Sequence, residues 1–164
     1  MRIDVGCGAS ACASDRLMGE DDVTLEENKS VVRRYYEEVH GGAIDVLEQF
    51  VDSDCMLHGW GSERRVTLAE ARQELIGQRT GFPDWKIEVH KLVAEGDIVA
   101  SDLTITGTHL GHFRQHAPTG KQVRFSGTIM DRVVDGKIVE MWHRPDFLRM
   151  LIQIGAVPDD MMGA

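Results

Sequence analysis

Near its C-terminal end the chain reads Met141-Trp142-His143-Arg144-Pro145-Asp146-Phe147, an imidazole and a carboxylate three positions apart where an alternating pattern gives way to a helical one. An imidazole of ordinary pKa, about 6.5, accepts a proton at neutral pH, and its conjugate acid is well matched to return it. A carboxylate within reach could orient the ring, although in the first turn after a proline it would equally complement a helix dipole. His143 and Asp146 are therefore the candidate catalytic residues. If Glu140 faces solvent, strand parity puts Met141 and His143 together on the opposite, concave face.

Other side chains could line the same site. His58 ends the segment Cys55-Met56-Leu57-His58, with Trp60 close behind as a possible cavity wall. Asp102 is a carboxylate in a strand that otherwise alternates apolar residues. Thr104 follows it on the same strand, and Met130 lies on the next. Arg132 and Arg144 could hold an anionic substrate group, or make surface ion pairs worth little. His109, His112 and His116 sit at a strand end and loop with no acidic neighbour among them, so no metal is expected there. Cys7, Cys12 and Cys55 are an odd set with no zinc spacing, which favours a reducing compartment, the cytoplasm.

The elements that must position these residues follow from the pattern. Residues 1–22 are small and polar, lack the basic and apolar regions of a signal peptide, and are expected to be a flexible extension. Residues 23–157 are expected to form one domain and 158–164 a tail. From Thr24 the apolar residues Leu25, Val31, Val32, Tyr35, Tyr36 and Val39 keep helical spacing, with Thr24 and Glu27 suggesting a capping box and Gly41-Gly42 a stop. A short helix over Ala43–Val51, a short strand, and a helix capped by Thr67 with Glu70 come next. After Pro83 the period changes to two. Four long strands follow, turning at Glu95–Asp97 and at Asp135-Gly136. A final short helix has Pro145 in its first turn and Gly155 at its end. Helices segregated from an antiparallel meander indicate an α+β fold. A curved sheet wrapped by helices leaves a concave face suited to a small apolar ligand. With 164 residues and a net charge of −9, nucleic acid and anionic membranes are poor partners. No run of about 18 apolar residues suggests a membrane span.

In order along the chain stand "RRYYEEVHGG", "DCMLHG", "FPDWKIEV", "GTHLG", "PTGK" and "DGKIVE", followed by Asp146 and "QIG". This ordered set, from about Asn28 to Ala156, resembles the SnoaL-like polyketide cyclases, of the nuclear-transport-factor-2-like superfamily. The resemblance implies a cone of curved antiparallel sheet closed by N-terminal helices. It implies acid/base chemistry without a metal or organic cofactor, with an acid/base group at position 143. The cyclases carry Asp there, where this chain carries His143, so their chemistry does not transfer unchanged. The resemblance also implies pocket positions at His58 and His109, and a homodimer or higher homo-oligomer.

The implied reaction is an intramolecular aldol condensation on a small hydrophobic or aromatic carbonyl compound. A base takes an α-proton, the enolate attacks a ketone, and an acid protonates the new alkoxide. The alternatives are a non-catalytic small-molecule binding protein, and an isomerase, dehydratase or epoxide hydrolase on the same fold.

Overall fold

The computed structural model describes residues 20–59 and 62–158. Beyond Pro83 the inward positions are apolar at every second residue, and the strands form where that alternation runs: β3 (Lys86–Glu95), β4 (Ile98–Thr108), β5 (Gln122–Val134) and β6 (Lys137–Pro145). β4 and β5 pair without a slip from Ile98 opposite Arg132 to Thr108 opposite Gln122. Asp135 and Gly136 both take positive φ, 50° and 74°, the geometry that joins strands in a tight twisted hairpin.

The N-terminal half supplies the helices and two further strands. α1 (Glu20–Arg34) runs into a π-helical turn at Tyr35–Val39, which buries Tyr35, Tyr36 and Val39. Because α1 begins at Glu20, Thr24 lies inside the helix and does not cap it. The segment expected as a second helix is a 3₁₀ turn, Ile44–Val46, followed by a single α-turn, α2 (Leu47–Phe50). β1 (Val51–Gly59) then pairs with β2 (Ser62–Thr67), a strand that was not expected. Its sequence, Ser-Glu-Arg-Arg-Val-Thr, has almost no apolar alternation to announce it. Thr67 does cap α3 (Leu68–Gly81), in a capping box with Glu70. α4 (Phe147–Ile154) starts after Asp146 and ends at Gly155, while Pro145 closes β6 instead of opening the helix.

The six strands form one curved, open sheet in the order β2-β1-β6-β5-β4-β3. β1 lies parallel to β6 and every other pair is antiparallel. This is the expected α+β architecture. The inward residues Val99, Leu103, Ile105, Phe125, Ile129, Ile138 and Met141 share one core with Tyr35, Tyr36 and Val39 of the helical segment. The register of β5 against β6 shifts between Arg132 and Val133, opposite Val139. That bulge lets both Ile138 and Met141 point inward, and it sets the parity that carries His143 onto the concave side.

One packing contact depends on the absence of side chains. The amides of Leu110 and Gly111 donate to the Gly81 carbonyl at the end of α3, at 3.0 and 3.1 Å. A Cβ on Gly111 would lie 2.0 Å from the Thr80 carbonyl oxygen, which is backbone and cannot swing away. Gly111→Ala should therefore cost about 3 kcal/mol and lower Tm by about 10 °C. Gly77→Ala, in α3 with nothing within 4 Å of the added carbon, should instead gain up to about 1 kcal/mol. Thermal unfolding of the two variants side by side checks both; an unaffected Gly111→Ala would mean the loop does not sit on the helix backbone.

Candidate functional site

A cavity of about 420 Å³ opens between the concave sheet face, α3 and the loop that joins β4 to β5. Its wall is mostly apolar, including Val51, Leu57, Trp85, Ile105, Ile129 and Met141. Such a wall favours a hydrophobic ligand through the area removed from water. Set into it are polar groups from the π-helical turn and His40 just after it, from α3 (Glu74, Gln78, Thr80), from the β4–β5 loop (His112, Arg114) and, on β6, His143.

His143 is one of them. Opposite Ile129 on β6, it follows Met141 on the inward face. A Cβ on Gly59 of β1 would lie 3.4 Å from the His143 Cβ, so the glycine leaves room beside the ring. Arg144 holds the strand end in place by donating to the carbonyls of His58 (3.0 Å) and His143 (2.9 Å). The side chain is half-buried, and its Nε2 is shielded from water and has no hydrogen-bond partner. Burial, helped by the neighbouring Arg144 charge, pushes its pKa down to about 4. At neutral pH the ring is uncharged, a proton acceptor by protonation state.

The cavity wall, and the core side chain bonded to it, also include residues that the sequence reading did not single out. His40, just past the π-helical turn, is nine-tenths buried, and neither of its ring nitrogens has a partner. Its pKa falls to about 3, through burial first and the nearby His143 second. Tyr35 and Tyr36 flank it, with ring centroids 5.2 and 5.7 Å away. Tyr36 donates from its hydroxyl to Asp131 Oδ2 at 2.9 Å. Asp131 is fully buried, its other oxygen is unpartnered, and desolvation raises its pKa to about 7 against the opposing pull of Tyr36. Cys55 also lines the cavity, but burial pushes its thiol up to about 12, which removes it as a thiolate nucleophile at neutral pH. A signal for these residues existed. His40 continues the apolar face Val32, Tyr35, Tyr36, Val39, and Asp131 occupies an inward position between Ile129 and Val133.

Of the expected site residues, His143 and Met141 line the cavity. Asp146 does not pair with the His143 Nε2. It is exposed and caps α4, accepting from the Arg149 amide at 3.0 Å. His58 belongs to the outer face. It stacks on Trp142 at 5.1 Å and pairs with Glu140 at 2.7 Å, because the parity of β1 sends Cys55 and Leu57 inward instead. Asp102, Thr104 and Met130 also face outward. Their inward neighbours are Ser101, Leu103, Ile105, Ile129 and Asp131, and Thr104 bonds His90 at 2.8 Å. His109 is fully buried away from the cavity lining, stacked on Phe82 at 5.0 Å with Nδ1 paired to Thr119 Oγ1. Arg132 is bound to Glu140. Trp60 lies outside the described residues. Among the described residues no three His, Cys, Asp or Glu side chains are grouped to hold a metal ion, and no helix is long and apolar enough to cross a membrane.

The buried groups fix the pH dependence of stability. Between pH 3.8 and about 7 the unfolded chain ionises Asp131 while the folded chain keeps it protonated. The folded state then holds the extra proton, so this group's contribution falls as pH rises through that window. His40 and His143 act in the opposite sense. From about pH 3–4 up to 6.5 the unfolded chain holds their protons and the folded chain does not, so stability rises with pH. Asp131→Asn removes only the first effect. Relative to the wild type it should gain roughly 3 kcal/mol between pH 4 and pH 7, with a slope approaching about 1.4 kcal/mol per pH unit in the middle of that range. Urea unfolding of both proteins at pH 4, 5.5 and 7 measures it, and a difference that stays constant with pH would rule out a protonated carboxyl at this position.

The family model for the SnoaL-like polyketide cyclases matches residues 29–154. AclR of Streptomyces galilaeus, described as a proposed hydroxylase, is 28% identical and superposes with a TM-score of 0.73, over 82% of this chain and 85% of its own. IdmH of Streptomyces antibioticus, described as a proposed polyketide cyclase, is 27% identical with a TM-score of 0.68, over 78% of this chain and 98% of its own. A SnoaL-like polyketide cyclase candidate from Jannaschia sp. CCS1, 24% identical with a TM-score of 0.73 over 81% of this chain and 94% of its own, shares the fold. No curated protein sequence gives a significant match.

Proposed function

The chain belongs to the SnoaL-like polyketide cyclase family, and from that premise we propose that it is a cofactor-independent acid/base enzyme acting on a small hydrophobic carbonyl compound, with intramolecular aldol condensation as its reaction. One observation carries this reading. An uncharged imidazole with an unpartnered Nε2, His143, lines a mostly apolar cavity. His143 takes the α-proton of the bound ketone. The enolate carbon attacks a second carbonyl of the same molecule, and the imidazolium returns its proton to the new alkoxide.

A ring depressed to about 4 is a weak base on its own. The reaction supplies the correction, because an enolate forming beside it in a dry cavity favours the imidazolium. The apolar walls hold the chain folded, so that the two carbonyl groups meet without the entropic cost of a random encounter. Arg144, bound to the backbone on both sides of the strand end, positions the ring.

Proton abstraction is testable without knowing the natural substrate. In heavy water the wild type should speed hydrogen exchange at the methylene of ethyl benzoylacetate, followed by proton NMR. His143→Gln should slow that exchange by about 100-fold or more while binding the ester with similar affinity. Equal rates in the two proteins would remove His143 as the base. Binding without accelerated exchange in the wild type would instead identify a small-molecule binding protein, a reading consistent with the use of Asp146 as a helix cap.

The outer sheet face leaves Val93, Met130 and Val134 well exposed, which supports a homodimer through this face. Sedimentation equilibrium at micromolar concentration should give twice the monomer mass, and a monomer would remove this proposal.

A further inference from the structure

His40 stands in the stretch "RRYYEEVHGG", yet the sequence reading gave it no role, and neither of its ring nitrogens has a hydrogen-bond partner. It lies on the same cavity as His143, close enough for the two rings to disfavour each other's charge. Three ring nitrogens of this pair, both of His40 and Nε2 of His143, are buried without hydrogen bonds. Gln78, also on the cavity wall, acts on His40 from nearby but stops short of hydrogen-bond geometry. Buried polar atoms left unpaired cost roughly 1–3 kcal/mol each, and native structures retain few of them. Three in one small site point to a partner that enters from the cavity.

A neutral imidazole offers one N–H donor and one acceptor. Near His143 it can complete what a lone base leaves undone, since a carbonyl oxygen that becomes anionic needs a donor aimed at it. An uncharged ring suits this role: it donates a hydrogen bond and keeps its proton, so it does not compete with the proton that His143 carries.

We propose that His40 is a second substrate-contacting residue, whose ring N–H donates to the carbonyl oxygen on which negative charge develops when His143 removes the α-proton. The proposal rests on the reading of His143 as the base and extends it. The proton balance is complete within the pair. The α-proton passes to His143, the electron pair moves onto the oxygen facing His40, and after carbon–carbon bond formation His143 returns the proton to the alkoxide. His40 loses nothing.

The test uses the full chain and butyrophenone labelled with carbon-13 at its carbonyl, a monoketone probe whose stretching band reports hydrogen bonding directly. Bound to the wild type and to His143→Gln, the band should lie at lower frequency than in an apolar solvent. In His40→Leu it should return to the apolar position, and exchange of ethyl benzoylacetate should fall 30-fold or more in kcat with a smaller change in KM. His40→Gln keeps an N–H and should recover most of the band shift, which a purely structural role would not produce. If His40→Leu does not fold, the nitrogen-15 resonances of the wild-type His40 ring decide instead: a donor-type shift on adding butyrophenone supports the proposal, and no shift overturns it. A band unchanged between wild type and His40→Leu also overturns it. That failure would leave the His143 reading standing, because the latter is decided by the exchange rate of His143→Gln.

Discussion

The site depends on one docking contact, between the segment Phe82-Pro83-Asp84-Trp85 and the segment Gly107-Thr108-His109-Leu110-Gly111. His109 stacks on Phe82, while Asp84 accepts from both the backbone amide and the hydroxyl of Thr108, at 2.6 Å each. Those two hydrogen bonds hold the Asp84 carboxylate below its usual pKa range. His109 also gathers the far side of the loop, its carbonyl accepting from the amides of Thr119 and Gly120. The end of α3, the start of β3 and the β4–β5 loop are thereby fixed to one another. His112, Phe113 and Arg114 of that loop and Gly77, Gln78 and Thr80 of α3 form adjoining stretches of cavity wall. Without the dock, these walls would have no defined separation.

Inside those walls the governing quantity is desolvation. For His40, His143 and Cys55 of the wall, and for Asp131 bonded to Tyr36 behind it, burial acts in the direction that removes charge: the histidines down, the carboxyl and the thiol up. The two histidines and the thiol are therefore uncharged at neutral pH although the chain as a whole is strongly acidic. On the convex face, by contrast, Glu140 is shared between His58 and Arg132. A neutral interior with unspent hydrogen-bonding capacity responds strongly to any charge that chemistry creates within it.

The fold was legible in the sequence because its determinants are local and periodic. The change from helical to alternating spacing after Pro83, the Asp135-Gly136 turn and the Thr67 cap each specify one conformation wherever they occur. β2 was not legible, since a strand held by its hairpin partner and facing solvent needs little apolar pattern. Thr24 shows the converse, a capping signature overridden by a helix that continues through it. The site was legible only at His143 and Met141, where parity along β6 is enough. Which face of β1, β4 and β5 looks inward depends on how the sheet curves. Polarity alone drew attention to Asp102 and His58, which are outside, and away from Asp131, which is inside. Asp131 and His40 sit in otherwise apolar runs, and a polar residue in such a run is the stronger sign of a buried site.

The position of β6 in the sheet has a consequence for how the protein is made. β6 lies between β1 and β5, and its parallel partner β1 precedes it by some eighty residues. Until β6 is in place, the β1–β2 hairpin and the β3–β4–β5 meander are separate pieces, each with an unprotected edge. Joining them closes a long loop, which slows folding and extends the time those edges are open to other chains. On the ribosome the cavity cannot exist until the strand that carries His143 has emerged. His143 and the final act of sheet assembly therefore arrive together, so a chain halted before Lys137 would have neither a complete sheet nor the cavity.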